Sequence, residues 1–245
     1  MAKDSQITRG EDEAVVNKLG GVEGMRRFLR GELIVVEKQQ IVIDSANAGI
    51  TFVPPSLPDV GLFLADQRKF FRDVYGKKMP TVVMPQARPG FGWGLVMASF
   101  MTSQYLFDCS LERFGKAWKW TNESLDTVIT HNDRDAKRDG KYGLWCRDRV
   151  EADEEHKGRS RNQIIEAHIK GMTVAERENL GLWFHWKTGG QQLDVINWTL
   201  ATGSLFRGGG VPSVGWGGDG SGMSVGRYGS DYSYDYLRTR EVVSK

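Results

Sequence analysis

Short apolar runs separated by clusters of glycine fill the last part of the chain, and they restrict its fold more than any other feature. Glycine-rich turns at 208–210 and 217–222 divide runs that are too short for helices. Because glycine readily adopts the positive φ of tight hairpin turns, this pattern predicts an antiparallel β meander. The strands are expected at 195–201, 211–216 and 222–228, with 237–243 as a fourth.

Helical patterns dominate the first half of the chain. Apolar residues recur on one helical face after Pro58, which suits a first helical turn, and Gly76 ends the pattern. Thr102 and Gly115 have the residue types that begin and end the next helix. A buried strand is expected at 93–100, between these two helices.

Shorter elements precede this region. Apolar residues at helical spacing before Gly31 predict a helix at 21–30. The β-branched and aliphatic runs 32–36 and 40–44 predict a hairpin, because a short polar stretch separates them.

Two capping boxes locate a pair of helices in the second half. Ser160 with Gln163, and Thr173 with Glu176, can satisfy the backbone N–H groups that open a helix. The second of these helices is expected to end at Gly189. Together with the meander, these patterns predict an α+β fold: a helix-rich N-terminal half with short strands, and a C-terminal antiparallel β meander.

A chain of 245 residues suits one large domain or two small ones. The polar stretch 131–141 is the best candidate for an exposed boundary. We therefore expect a flexible tail at 1–17, a mixed helix and strand region at 18–130, and the helix pair with the meander at 142–245. The alternative is that these regions form one continuous domain.

Composition argues against several classes of protein. The 33 Lys and Arg residues nearly balance the 31 Asp and Glu residues, which is not typical of a dedicated nucleic-acid binder. Apolar runs fall short of the ~18 residues that span a bilayer, and the start is too polar for a secretory signal. Two cysteines are too few for a disulfide scaffold. We expect a cytoplasmic protein with reduced thiols and no membrane partner.

The acidic segment from 148 to 156 is the strongest candidate for a metal site. Carboxylates together with an imidazole can hold a hard divalent cation, which would activate water in a hydrolase or nuclease. The same carboxylates can instead sit at the start of a helix, where they meet the positive end of its dipole. The candidate ligands are Asp148, Glu151, Asp153, Glu155 and His156.

The helix pair permits a second alternative, a helix-turn-helix protein that binds nucleic acid. Ala167 and Gly171 have the four-residue offset of such a bend, and Lys170 and Lys187 supply positive charge nearby. One argument against this hypothesis is that the motif would bury the position of Arg177, which is a charged residue. The aromatic residues of the second helix also favour a place in the core over a place in a major groove.

Aromatic and arginine residues are concentrated in the C-terminal region, and they support the leading hypothesis. Rings and guanidinium groups on a sheet face can bind a partner protein, a sugar or single-stranded bases, although the same rings could pack the meander. The predicted binding residues are Trp198, Arg207, Trp216, Arg227, Tyr228 and Arg238.

Motifs for catalysis or cofactor binding are missing from the sequence. The glycine-rich stretches do not lead into a helix as phosphate-binding loops do, and neither cysteine has the surroundings of a catalytic nucleophile. The sequence therefore favours a non-catalytic binding protein over an enzyme and indicates no cofactor. A protein is the first candidate for the unidentified partner, with nucleic acid as an alternative.

Several segments resemble a family of predicted proteins from uncultivated, small-genome bacteria. The resemblance covers most of the chain from Gly20 onward and rests on GGVEGMRRFLRGEL (20–33), FLADQRKFFRDVYG (63–76), KWTNESLD (119–126), YGLWCRDRVEADEEHK (142–157), LDVINWTLATGS (193–204) and VPSVGW (211–216). Members often continue with a GDG-type hairpin and an RSR-like tail, which are similar to Gly218–Gly220 and Arg238–Arg240. The resemblance implies a bacterial, intracellular origin, and it implies no activity, cofactor or catalytic residue.

Overall fold

Residues 41–44, 49–52, 57–217 and 222–244 are described by the computed structural model, in which the chain divides into two units, Met1–Pro55 and Ser56–Lys245. In the first unit, β1 (Ile41–Asp44) pairs antiparallel with β2 (Gly49–Phe52). The strand predicted at 40–44 is therefore present, and its described partner is β2. The partner predicted at 32–36 lies outside the described residues, as do the tail at 1–17 and the helix at 21–30.

The described part of the second unit contains both helices and strands, which confirms the predicted α+β class. The helices are α1 (Val60–Tyr75), α2 (Ser103–Phe114), α3 (Leu125–Val128), α4 (Arg161–Glu166) and α5 (Val174–Thr188). The strands are β3 (Trp93–Met97), β4 (Ala117–Lys119), β5 (Ile129–Asn132), β6 (Tyr142–Cys146), β7 (Trp198–Leu200), β8 (Ser204–Phe206), β9 (Val211–Gly217), β10 (Gly222–Tyr228), β11 (Leu237–Arg238) and β12 (Val242–Val243).

Most helix ends lie where the capping residues predict them. Thr102 accepts a backbone hydrogen bond at the start of α2, and Gly115 follows its end with a φ of 74°. Both predicted capping boxes are present, at the starts of α4 and α5. Helix α1 begins later than expected: Pro58 lies before it, and Asp59 caps it by accepting a hydrogen bond from the Leu62 N–H at 3.0 Å.

The largest sheet is built on the predicted meander. Its strand order is β11-β7-β9-β10-β4, and the three central strands are antiparallel. Strands β4 and β11 pair in parallel with their neighbours at the two edges. Strand β8, although it lies between β7 and β9 in the chain, pairs with β5 instead. Strands from 18–130 thus pair with strands from 142–245.

The strand predicted at 237–243 is wrong as a single element, because the chain passes there from one sheet to another. Strand β11 belongs to the large sheet, whereas β12 pairs antiparallel with β6 in a second sheet of order β12-β6-β3. Thr239 and Arg240, between the two strands, are buried. The buried side chain of Arg240 binds partners outside both strands.

Helix α5 is central to the second unit, and residues 176–184 are all buried. Trp183 and Phe184 pack against Trp93 of β3, with ring centroids 5.4 and 5.3 Å apart. On another side of the helix, the Tyr75 hydroxyl of α1 donates a hydrogen bond to Asn179 Oδ1 at 2.7 Å. Because charged residues of α5 are buried as well, this helix needs ionic partners inside the protein.

Asp194 connects α5 to the C-terminal strands through a buried ionic cluster. Its Oδ2 accepts a hydrogen bond from Arg177 Nε at 2.7 Å, and its Oδ1 accepts one from Arg240 Nη2 at 2.6 Å. Arg240 also donates to the backbone carbonyls of Arg149 and Val150. Although burial disfavours a charged carboxyl, the guanidinium groups of Arg240 and Arg177 hold the pKa of Asp194 below its ordinary value.

We expect the Asp194→Asn substitution to lower the free energy of unfolding by about 3–5 kcal/mol, because it leaves two buried guanidinium groups without a counter-charge. Urea denaturation of the variant and of the exposed control Asp235→Asn would measure the difference. A loss below about 1 kcal/mol, the size expected of a surface ion pair, would contradict the importance given to this cluster.

Glu178 is a buried carboxyl on the same helix. Within the described residues, neither of its Oε atoms has a hydrogen-bond partner. Burial raises its pKa well above the ordinary value, and the opposing effect of Arg177 is smaller. The neutral acid is therefore the form that the folded protein favours.

A raised pKa in the folded state makes stability depend on pH. The contribution of Glu178 is fully present below the unfolded-state pKa and is lost as the pH rises through the folded-state value. We expect the free energy of unfolding of the wild type to fall relative to Glu178→Gln as the pH rises from 5 to 8, by at most about 1.4 kcal/mol per pH unit. Parallel curves for the two proteins in denaturant titrations would contradict this assignment.

Candidate functional site

The acidic segment predicted as a metal site follows β6 and includes a 3₁₀ turn at Glu154–His156. Arginine side chains bind most of its carboxylates. Arg147 Nη1 donates to Asp153 Oδ2 at 2.9 Å, and Arg149 binds both carboxylate oxygens of Glu155. Arg238 pairs with Glu154, so three of the five carboxylates in the segment have an arginine partner.

Glu151 and Asp148 have different surroundings. The Glu151 carboxylate accepts backbone hydrogen bonds from residues 195, 196 and 197 at 2.9–3.2 Å, so it holds the turn before β7. The Asp148 carboxyl lies close to the backbone of Gly92: a Cβ added at Gly92 would be 3.2 Å from Asp148 Cγ. Glu151 and Asp148 therefore contact the backbone of two different segments, 195–197 and Gly92.

Glu241 lies at the centre of this arginine–carboxylate network, and the sequence pattern did not single it out. Its carboxylate oxygens lie 2.8 Å from Arg147 Nη2, 3.1 Å from Arg88 Nη2 and 3.4 Å from His156 Nε2. The contact with His156 and the hydrogen bond from Arg147 lower the pKa of Glu241 to about 2, against the opposing effect of burial. The guanidinium groups of Arg88 and Arg147 each lie 4.5 Å from the centroid of the Phe91 ring.

The network does not assemble the predicted metal ligands. Among the described residues, no group of three or more His, Cys, Asp or Glu side chains is arranged to hold a metal ion. Each of Asp153, Glu155 and Glu241 instead has a guanidinium group within 3.1 Å, in the place that a cation would need. The geometry therefore gives no support to a metal-dependent hydrolase or nuclease at 148–156.

The helix-turn-helix alternative has no geometric support either. Helix α4 spans six residues, and α5 is buried through most of its length. A recognition helix must present a face to the major groove. Arg177 is buried as the motif required, but it binds Asp194 as part of the interior cluster.

A cavity of about 140 Å³ lies between α2, α5 and the loop after β5. Three polar groups beside it bind one another: Arg134 donates to both Oε atoms of Glu176 at 2.7 and 2.8 Å, and the Tyr142 hydroxyl donates to Glu176 Oε1 at 2.8 Å. Burial and the neighbouring carboxylate raise the pKa of Tyr142, so its hydroxyl stays neutral. These groups hold the capping box of α5 in place.

The predicted binding residues fall into two sets. Trp198 and Trp216 are only partly exposed and pack against the core. A Cβ added at Gly215 would lie 2.7 Å from the Trp198 ring, so the strand approaches this ring closely. Arg238 is largely buried and forms an ion pair with Glu154 at 2.5 Å. These three residues contribute packing and an ion pair. Arg207 and Arg227 are exposed, and Tyr228 is partly buried against the same core cluster as Trp198.

Arg207 and Arg227 line an aromatic hollow of about 270 Å³, formed with Trp120 and Phe206. The Trp120 and Phe206 ring centroids are 5.5 Å apart, and the Arg227 guanidinium lies 5.7 Å from the Phe206 ring. Arg207 forms an exposed ion pair with Glu123 at 3.3 Å. Sequence analysis missed Trp120 and Phe206, because the pairing of β5 with β8 and of β4 with β10 brings them together from distant segments.

Tyr228 belongs to a more exposed aromatic cluster, the tyrosine ladder, which consists of Tyr228, Tyr232, Tyr234 and Tyr236. Tyr234 stacks with Tyr232 and with Tyr236, at centroid distances of 5.9 and 5.4 Å and interplanar angles of 17° and 16°. The Tyr228 and Tyr236 hydroxyl oxygens are 3.0 Å apart. Tyr232, Tyr234 and Tyr236 are 51, 41 and 41% exposed.

The segment YSYDY carries three rings of the ladder and ends in a turn. Asp235 and Tyr236 lie in this turn, which the Leu237 N–H closes by donating to the Tyr234 carbonyl at 2.9 Å. The Ser233 hydroxyl donates to the Gly158 carbonyl, and the Tyr236 carbonyl accepts from the Trp198 N–H at 2.8 Å. The backbone is thus attached to the protein while the rings stay at the surface.

No family model, curated protein or solved structure matches the chain. The resemblance to a bacterial family and the cytoplasmic location therefore stay predictions. Over the ranges that the structure describes, no helix combines the length and apolar character needed to cross a bilayer.

The arginine–carboxylate network generates a prediction about metals. We expect millimolar Mg²⁺ or Mn²⁺ to leave the melting temperature unchanged, because a ligand stabilises only through a site that it can bind, and arginines occupy these carboxylates. Differential scanning fluorimetry with and without a chelator would measure this. A saturable rise in melting temperature that disappears in Asp153→Asn would contradict the assignment.

Proposed function

We propose that this protein is a non-catalytic binding protein that captures a partner protein through the tyrosine ladder. The observation that carries the proposal is the exposure of three stacked tyrosine rings on one surface segment. Large apolar side chains in contact with one another at a surface are typical of interaction sites, and tyrosine is enriched in such sites.

The ladder is ordered before a partner arrives. Stacking restricts the rings, and the contact between the Tyr228 and Tyr236 hydroxyls restricts them further. Burial and this hydrogen bond raise the pKa of Tyr228, so its hydroxyl stays neutral and can donate or accept. A surface that is already ordered loses little side-chain entropy on binding, which favours affinity.

The chemistry of the ladder favours a protein over the other ligands of aromatic surfaces. Single-stranded bases need an open ring face and a basic surround. Here the rings partly cover each other's faces, and the exposed neighbours Asp231 and Asp235 are acidic. The complementary surface is therefore a protein segment with basic and apolar side chains, whose cations can meet the carboxylates and ring edges.

A displayed library of random linear peptides would test the proposal. We expect peptides selected on the wild type to be rich in basic and apolar residues, and to bind Tyr232→Ser/Tyr234→Ser/Tyr236→Ser at least about tenfold more weakly, a difference of ~1.4 kcal/mol. The matched control is Trp118→Ser, which removes another exposed ring, from β4. Biolayer interferometry with synthetic peptides would give the affinities.

Two results would overturn the proposal. Peptides that bind the wild type and the triple variant equally would place the binding surface elsewhere. A triple variant that melts more than about 4 °C below the wild type would make the ladder a structural element, because ~1 kcal/mol shifts the melting temperature of a domain of this size by no more than that.

A further inference from the structure

A second surface feature, the basic cleft, lies between the C-terminal half of α1 and the segment that follows it. Its volume is about 510 Å³, which is within the range of small-molecule sites. Arg68, Arg72, Lys77 and Lys78 supply its charged lining. Each of these four side chains is exposed, so the charges are hydrated and accessible.

Negative charge near the cleft is limited to its margin. The described residues that line it include four cations and no carboxylate. Asp73, which is adjacent, pairs with Arg72 Nε at 3.1 Å and offsets one of the four charges. The last carbonyls of α1 accept hydrogen bonds from the N–H groups of Gly76 and Lys77, which reduces their repulsion of an anion.

The remainder of the cleft is apolar. Leu64, Met79 and Val82 line it and also pack against the main hydrophobic core, so the cleft has a fixed apolar floor. Pro80 adds a further apolar wall with little conformational freedom. A purely inorganic anion would leave this floor in contact with water.

We propose that the basic cleft binds a small amphiphilic anion: an organic phosphate monoester whose charged head meets the arginine and lysine side chains and whose apolar group covers the floor. Guanidinium and ammonium groups suit a phosphate dianion because they donate several charge-assisted hydrogen bonds to its oxygens. Asp66 and Asp73 interrupt the cations along α1, so the helix lacks the continuous basic track that a nucleic-acid backbone requires. This site is separate from the tyrosine ladder and does not depend on it.

Titration with octyl phosphate below its micelle concentration tests the proposal. Calorimetry should detect binding that is at least about tenfold tighter than that of inorganic phosphate, because only the ester can cover the apolar floor. Arg68→Gln/Lys78→Gln should weaken octyl phosphate at least about tenfold. The control Arg207→Gln/Arg227→Gln removes the same number of charges from the aromatic hollow and should leave the affinity unchanged.

Three outcomes would overturn the proposal. The first is that Arg68→Gln/Lys78→Gln and Arg207→Gln/Arg227→Gln bind octyl phosphate with equal affinity, while both have the melting temperature of the wild type. Another is inorganic phosphate binding as tightly as the ester, which would leave the apolar floor without a role. The third is binding to phosphatidic acid vesicles without binding of free octyl phosphate, which would assign the surface to a lipid bilayer.

Discussion

The carboxylate of Asp194 lies between two buried guanidinium groups, and the arrangement of the second unit depends on this contact. Arg177 brings α5 to it, and Arg240 brings the segment that passes from one sheet to the other. Asp194 itself has a φ of 53°, a conformation that few residues other than glycine adopt. A buried ionic cluster adds less to stability than its distances suggest, because desolvation opposes it, but a wrong arrangement would leave a charge unpaired.

Local features of the fold could be predicted from the sequence, whereas pairings between distant segments could not. Capping boxes and glycine stops depend on residues a few positions apart, so Thr102, Ser160 and Thr173 located their helices well. Strand β4 pairs in parallel with β10, which lies about a hundred residues later in the chain. Strand β8 pairs with β5 and not with its neighbours in the meander, so its place also depends on a distant segment. The passage of the chain from one sheet to the other at Arg240 was missed for a related reason: its buried guanidinium group binds a carboxylate 46 positions away.

For the candidate sites as well, the local pattern could be predicted from the sequence, whereas contacts with distant residues could not. The acidic segment was visible as a pattern, but its ionic partners were not. One of them, Arg238 in β11, binds Glu154 from a distant part of the chain. Solvent exposure determines which of the aromatic residues can form a binding surface, and exposure cannot be read from residue types alone. Tyr232, Tyr234 and Tyr236 are exposed, while Trp198 and Trp216 pack against the core. The two proposed surfaces also differ in charge, since carboxylates flank the ladder and cations line the basic cleft.

The passage of the chain from β11 to β12 has a consequence for how the protein is made. Strand β12 pairs with β6, and Arg240 donates to carbonyls just beyond β6, although about 90 residues separate these segments. A ribosome releases the earlier strands first. Until Arg240 has emerged, the interior of the nascent chain stays open to water at Asp194 and at those carbonyls. This unit can therefore close only after the segment that contains Arg240 and β12 has left the ribosome.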